Sequence, residues 1–587
     1  QRLKIGTYQI RRGGKLHEEG IFYDPEAITL EEFEVIEDFC ETEELRLLTA
    51  QEFRRNIFLE YAVDRRAVVI GFNLPFDLSR IALGHGVARG SMRGGFSFMM
   101  TRDRHRPRVR VKHLSRSAAL IDLAAPWEQQ TPRSYRKKNL KAPVDSGFFV
   151  DVKTAAAALL TFRGSLAALC EKLETKTRKI ETDEHGGKIT LSYLYYAMRD
   201  VQATWECYEK LAARYASYQL AKPLHRILSE ASLGKAMLEE MGVSPFRIIQ
   251  PEFSKVRLGQ LMSAYYGGRA EVRIRREVRR VLYCDFKSMY PTVNTLMGLW
   301  RFVVANQILE VDATSEVRTF LETITISDLQ SQKVWRHLPI LVRVKPDGDL
   351  FPVRAKYDRR SNTIGLNYLT ADEQMWFTLA DCIAATLLSG KNPEVIEAVR
   401  FEPQGLQAGL KPINLCGDPN YRVDPNEDDV FRKMVDLRDA AKANGDEIEQ
   451  SIKILTNATS YGIFIEIQQD ETASGKPEPV DVYRFDGSHV RIMSETTEQP
   501  GKFFNPIIGV MITGAARLML AIAERLTLDA GLDWVFCDTD SLAIARPQGL
   551  SESEFVERAQ TVIDWFTALN PYAAPGSILK IENINYD

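Results

Sequence analysis

Two apolar stretches of this chain each run into aspartates, and that pattern limits what the surrounding residues can build. "WVFCDTDSLAIA", Trp534 to Ala545, sets Asp538 and Asp540 two residues apart inside a run that otherwise reads as a buried strand. "VLYCDFKSMYP", Val281 to Pro291, places Asp285 after an apolar strand, before a Tyr-Pro step that forces the chain out of a sheet. Strand residues i and i+2 share a face, so Asp538 and Asp540 avoid the core only if a turn after Cys537 lifts them clear. Asp-Thr-Asp-Ser is good turn chemistry, which makes a β-hairpin the plain reading. Carboxylates gathered in one pocket repel, and they stay ionised together only where a cation compensates them. Two such strand ends can offer three carboxylates to one metal site, an arrangement suited to phosphoryl transfer with two Mg²⁺ ions.

At 587 residues the chain is too long for one ordinary core, and length favours about three or four domains. Its 45% apolar content is that of a globular protein. No uninterrupted apolar run reaches the roughly 18 residues that span a bilayer, and the N-terminus lacks the layout of a secretory signal. The expectation is a cytoplasmic protein (host-cell cytoplasm if viral) with no membrane partner. Seven cysteines lie scattered with no CxxC pair, so free buried thiols are expected rather than a zinc ribbon or a disulfide framework.

The net charge of −3 does not by itself point to a polyanion. Locally, Arg102, Arg104, Arg106, Arg108, Arg110 and Lys112 recur at every second position, which on a strand would give one basic face suited to phosphates. A second cluster, "RIRREVRR", spans 273–280. Up to about residue 215 strands ("AVVIGF", "ALIDLA") alternate with helices ("GSLAALCEKLE", "YLYYAMRDVQATWECYEKLAARY"), an α/β pattern with a polar loop at 129–147. Residues 301–411 read as strands and loops with no legible chemistry. Two helices follow, split by the Gly445-Asp446 turn signal. Arg438 and Lys442 stand at i and i+4, as do Lys453 and Asn457, so each pair shares a helix face and could present polar and cationic groups to a triphosphate. "QQDETASGKPEPV" reads as an exposed hairpin or loop.

Three of these motifs, in order, resemble motifs A, B and C of family B DNA polymerases: "DFKSMYP" (285–291), "KILTNATSYG" (453–462) and "DTDS" (538–541). "YYGGR" at 265–269 resembles the motif that joins exonuclease and polymerase modules there. The resemblance implies that Asp285 and Asp540 bind the metals, with the Phe286 carbonyl as a further ligand. Asp538 would be a catalytic acid close to the metals without always binding them. It implies two Mg²⁺ ions as cofactors, with Mn²⁺ as a substitute. Tyr290 would sit under the incoming sugar and exclude a 2′-hydroxyl; Arg438, Lys442, Lys453 and Asn457 would grip the triphosphate; Tyr266, Gly267, Gly268 and Arg269 would contact DNA. The family usually reads K-x3-N-S-x-Y-G, whereas here Ala-Thr-Ser separates Asn457 from Tyr461, turning the tyrosine by about 100° on an ideal helix.

"GFNLPFDLSRIA" resembles the family's second exonuclease motif, giving Asn73, Phe76 and Asp77; "YAMRD" resembles the third, giving Tyr196 and Asp200, one helical turn apart. Asp77 and Asp200 would be exonuclease metal ligands. The first motif, D-x-E on an opening strand, is not upstream of "KIGTYQI", and Asp24-Pro25-Glu26 reads as a cap or turn instead. The chain opens on Gln1 and closes at Asp587, so a fragment with impaired 3′-5′ hydrolysis and no thumb is expected. Glu582 reads either as a palm acid or as a strand-surface glutamate.

The expected fold is α/β and α+β multidomain. An RNase H-like exonuclease domain would occupy 1–215, a helical connector 216–260, a palm with an insertion 261–424, fingers helices 425–464, and the second part of the palm 465–587. The expected activity is template-directed addition of deoxynucleotides to a primer 3′-hydroxyl, with primer-template DNA and deoxynucleoside triphosphates as partners. A terminal protein or a processivity factor would be an additional partner. The alternative is a non-catalytic, polymerase-like DNA-binding scaffold.

Overall fold

The computed structural model describes residues 3–89, 92–103, 105–124, 147–179, 187–356, 362–472, 477–484, 486 and 488–585. The chain is a mixed α/β protein that divides into two compact units, one of residues 1–233 with 470–476, the other of residues 234–469 with 477–587.

In the first unit, strands β1 (Ile5–Arg12) and β2 (Lys15–Tyr23) form an antiparallel pair, and β3 (Arg46–Thr49) joins β2 in parallel. Strand β4 (Val68–Gly71) pairs in parallel with β5 (Phe148–Asp151). Four short strands between them, from Gly84–Val87 to Ala119–Leu123, make a separate antiparallel sheet. Helix α1 (Leu74–Ile81) follows β4 and α2 (Val152–Leu160) follows β5. Helix α3 (Leu191–Ser217) starts at Thr190, whose hydroxyl accepts the Tyr193 N–H. It buries Leu194, Ala203, Cys207, Leu211 and Tyr215 as it packs on β1 and β4. Asp24 and Glu26 form a turn, the Glu26 N–H donating to the Asp24 carboxyl at 3.1 Å, as the sequence suggests.

The expected basic face at 102–112 does not form. Among the described residues only Val109–His113 is a strand there, and both its faces are covered: Val109, Arg110 and Val111 are buried. Arg110 donates to the Leu123 carbonyl at 3.1 Å, and Arg106 is paired with Asp64. Arg104 and residues 129–146 of the polar loop lie outside the described residues, as do 473–476 of the stretch expected to form a hairpin or loop.

The second unit is built on a five-stranded antiparallel sheet. Its strands are β6 (Ala270–Val272), β7 (Val281–Phe286), β8 (Asp533–Asp538), β9 (Ser541–Ala545) and β10 (Leu579–Ile584), in the order β6-β8-β9-β7-β10. Helix α4 (Met289–Met297) follows β7 directly, α5 (Val430–Asn444) and α6 (Ile448–Ser460) form a helical pair, and α7 (Pro506–Asp529) packs behind β8 and β9. Residues 307–404 contribute a second antiparallel sheet of four strands, helices Thr314–Thr323 and Leu379–Ser389, and the hairpin Asp347–Lys356/Asn362–Thr370; the two helices break the expected strand-and-loop character. The "RIRREVRR" cluster spends much of its charge locally, Arg273 on Asp533, Arg279 on Glu277 and Arg280 on Glu552.

Helix α7 corrects another expectation, because it is long and apolar enough to cross a bilayer, with its apolar window wholly buried inside the unit. Thr513, Arg517 and Glu524 interrupt every continuous apolar run, yet the helix is apolar nearly all round, as a core helix is. Its buried arginine is satisfied: Arg517 makes two 2.8 Å hydrogen bonds to Asp381 and a third, at 2.5 Å, to the Gly267 carbonyl. All seven cysteines are free thiols, six of them buried.

Leaving one member of such a pair uncompensated in the interior costs about 3–5 kcal/mol. Arg517→Ala should therefore lower the urea-unfolding free energy by that amount, and a loss below about 1 kcal/mol would contradict the packing described.

Candidate active site

The answer to why apolar strands carry aspartates lies in the alternation of β7. Leu282, Cys284 and Phe286 point into the core, which leaves Asp285 on the opposite face, half-buried. Across the ladder Asp285 stands opposite Ser541, and Ser541 stands opposite Asp538. The chain reverses at Asp538-Thr539-Asp540 with Thr539 in the left-handed region at φ 58°. The turn is closed by the Asp540 N–H donating to the Asp538 carbonyl at 2.6 Å. The Phe286 N–H donates to the Asp540 carbonyl at 2.8 Å, so the turn is stitched directly to the end of β7. Asp540 is thereby brought beside Asp285, while Asp538 is exposed at the rim.

A third acid joins them by a β-bulge. Tyr283 pairs with Asn583 and Cys284 with Ile581, so Glu582 is the extra residue of β10. Burial first, and then the Asp540 and Glu582 charges, push the Asp285 carboxyl from its ordinary 3.8 up to about 7. Asp540 is raised as well, chiefly by burial, with Asp538 and Glu582 adding repulsion. Among the described residues no three His, Cys, Asp or Glu side chains are grouped as a metal-binding set. Asp285, Asp540 and the main chain at Phe286 nevertheless suit a hard divalent cation, since the two carboxyls are destabilised as anions without one.

The turn rests on the 266–269 segment. The Thr539 N–H donates to the Arg269 carbonyl at 2.7 Å. A side chain at Gly268 would begin 2.9 Å from the Thr539 hydroxyl, so only glycine passes beneath the turn without displacing it. Arg269 differs from its expected DNA contact: its guanidinium is 3% exposed and held by Glu271 and Glu524 at 2.6 and 2.7 Å. Tyr266 likewise faces inward in part, its ring stacked on Phe377 at 5.7 Å.

The helical pair reaches the same end of the sheet. Arg438 on α5 donates to the Ser288 hydroxyl at 3.1 Å, and Lys287 pairs with Asp439. Lys442 is exposed on α5, as are Lys453 and Asn457 on one face of α6. The extra residue before Tyr461 does not swing the tyrosine away. Helix α6 ends at Ser460 and Tyr461 has left helical geometry (φ −151°, ψ −77°), so a rotation counted on an ideal helix does not apply. Its ring stacks on Tyr290 at 4.5 Å, and its hydroxyl bonds that of Tyr265. Tyr265 and Tyr461 are thus members of the site that spacing did not assign.

The first unit holds a second acidic cluster. Asn73 enters α1 in the left-handed region (φ 61°), Phe76 is exposed beneath the Arg80 guanidinium, and Asp77 lies on the first turn. Part of the Asp77 surface reaches solvent, yet protein crowds its carboxyl; that burial, then Asp151 and Asp200, raise it. Asp200 and Tyr196 share a face of α3, where Lys179 lies 3.1 Å from the Asp200 carboxyl and 5.4 Å from the Tyr196 ring centroid. Asp151 and Lys179 were not legible. The first reads as an ordinary helix cap, accepting the Thr154 N–H, and the second lies far from any motif.

Because folded Asp285 holds its proton to higher pH than the unfolded chain does, it makes the metal-free protein lose stability as pH rises between about 4 and 7. In EDTA, wild type should therefore lose unfolding free energy relative to Asp285→Asn on going from about pH 5 to about pH 8. Parallel pH profiles would contradict the crowding of acids at this strand end.

No protein-family model matches the chain, and no curated protein matches it. Solved structures do. A phi29 DNA polymerase in an orthorhombic crystal form is similar at 14% identity and a TM-score of 0.45, covering 100% of this chain and 85% of that one. The phi29 polymerase complexed with primer-template DNA and incoming nucleotide gives 13%, 0.44, 100% and 85%. Its complex with single-stranded DNA gives 12%, 0.44, 100% and 84%.

Proposed function

We propose that the chain is a template-directed DNA polymerase whose reaction centre lies at the ends of β7 and β8. The observation that carries this reading is the joining of Asp285 and Asp540 by the Phe286–Asp540 backbone bond, with both carboxyls raised chiefly by burial and further by neighbouring acids, Glu582 among them for each. Asp285, Asp540 and the Phe286 carbonyl would hold Mg²⁺ or Mn²⁺; when bound, the ions acidify the attacking primer hydroxyl and neutralise the leaving pyrophosphate. Lys442, Lys453 and Arg438 would pair with triphosphate oxygens, and Asn457 would hydrogen-bond beside them. The Tyr290–Tyr461 stack gives the sugar a flat floor, and Tyr290 would exclude a 2′-hydroxyl. Such a site works by positioning and charge compensation, which needs few acids and several cations.

We read the cluster of Asp77, Asp200, Tyr196 and Lys179 as a nuclease-type site of the 3′-5′ proofreading kind. Asn73 and Phe76 border it on α1.

Primer extension tests the first reading. Asp540→Ala and Asp285→Ala should each lower the rate by at least about a hundredfold, the scale of losing a principal electrostatic group. Equal extension by wild type and Asp540→Ala would overturn it. Tight primer-template binding without extension by the wild type would favour the non-catalytic scaffold instead.

A further inference from the structure

The second unit contains a polar cavity that the proposed chemistry does not use. It has a volume of about 260 Å³ and is lined by Thr295, Lys333, Arg336, Asp429 and Arg432 among others. That is far above the roughly 10–15 Å³ a single water needs. Thr295 lies near the end of α4, the helix that carries Tyr290 on its first turn; Asp429 and Arg432 lie at the start of α5. The cavity therefore joins the far ends of the two helices whose other portions bear on the acidic strand ends. Arg432 and Arg438 are six residues apart on α5, about 9 Å along its axis.

Three properties of the lining point to an anion. Lys333, Arg336 and Arg432 place three cationic side chains around it, against a single lining carboxylate, Asp429. Arg432 shares its charge with Asp436 at 3.4 Å, and the Asp429 carboxyl is engaged in capping α5, accepting the Arg432 N–H at 3.2 Å. The Arg336 guanidinium lies directly on the backbone of Gly298, where a Cβ would fall within 2.0 Å of Nη1; Gly298 closes α4 at φ 66°. Independently of the charges, the Thr295 hydroxyl is buried with no hydrogen-bond partner, in a residue only 3% exposed. A buried hydroxyl without a partner is costly, and a ligand oxygen at the cavity wall would relieve it.

We propose that this cavity is a binding site for a phosphate group, recognised by Arg336 and Lys333 as cations, with Arg432 beside them and the Thr295 hydroxyl as a neutral donor. An arginine fork with an adjacent lysine matches phosphate oxygens, and a hydroxyl that can only donate or accept locally suits the same ligand. The site is separate from the triphosphate grip assigned to Lys453 and Arg438, and it does not depend on the polymerase reading. Occupancy would hold α4 to the start of α5.

Calorimetric titration with inorganic pyrophosphate in EDTA tests it, on the whole chain. Wild type should bind saturably, and Arg336→Ala and Thr295→Val should each weaken binding by about tenfold. Lys333 and Arg336 are both exposed, so Lys333→Ala serves if the variant at buried Thr295 fails to fold, and should also weaken binding. Displacement of pyrophosphate by a short oligothymidylate would place the natural phosphate on a nucleic-acid strand, and failure to displace it would make it a free anion; both support the site. Absence of saturable binding by wild type, or loss confined to Lys453→Ala, would overturn it.

Discussion

Two buried arginines support the acidic turn. Arg517, inside the otherwise apolar α7, holds Asp381 and the Gly267 carbonyl; Arg269 holds Glu524 and Glu271. Taking these charges out of water is expensive, and it is repaid only because every guanidinium direction meets a carboxylate or a carbonyl at hydrogen-bond distance. Asp381 is itself fixed, accepting from the Thr378 hydroxyl at 2.7 Å at the start of its helix. The 266–269 segment is thus pinned at both ends, and the Arg269 carbonyl is presented to the Thr539 N–H. Helix α7 supplies both anchors from positions seven apart, Arg517 and Glu524, that lie on one face.

The aspartates of the opening motif follow from this support. A hairpin turn and an acidic site are the same object here: the reversal at Thr539 moves Asp540 out of the core and beside the end of β7. Asp285 escapes the core by simple alternation. The acids then crowd one another, and Glu582 is added by a bulge in β10 that re-aims a residue the regular ladder would have placed elsewhere. Neutralising that crowding is what a divalent cation would contribute. The second cluster, around Asp77 and Asp200, follows the same logic in the other unit but differs in having a lysine already beside one carboxylate.

Much of this was legible where local chemistry decides. The strand ends at Asp285 and Asp540, the shared faces of Lys453 with Asn457 and of Tyr196 with Asp200, and the Asp24–Glu26 turn all depend on short-range periodicity. Where tertiary partners decide, periodicity misled. Alternating arginines at 102–112 looked like an open basic face because the sequence does not reveal that both faces of Val109–His113 are covered. Arg269 looked like a DNA contact, since Glu524, its partner 255 residues away, cannot be paired with it by spacing. Tyr461 looked misplaced because an ideal helix was assumed past Ser460. Arg517 and Glu524 inside an apolar run were the one available sign of buried ion pairs.

The central claim is that Asp285 and Asp540 form one cation site rather than two independent surface acids. Titration of Mn²⁺ followed by electron paramagnetic resonance, in the presence of a deoxynucleoside triphosphate, tests it most directly. The account predicts that Asp285→Asn and Asp540→Asn each abolish the same high-affinity Mn²⁺ signal, so that the double variant loses no more than either single one. Additive, independent losses, or protein-dependent Mn²⁺ binding that survives in the double variant, would contradict it.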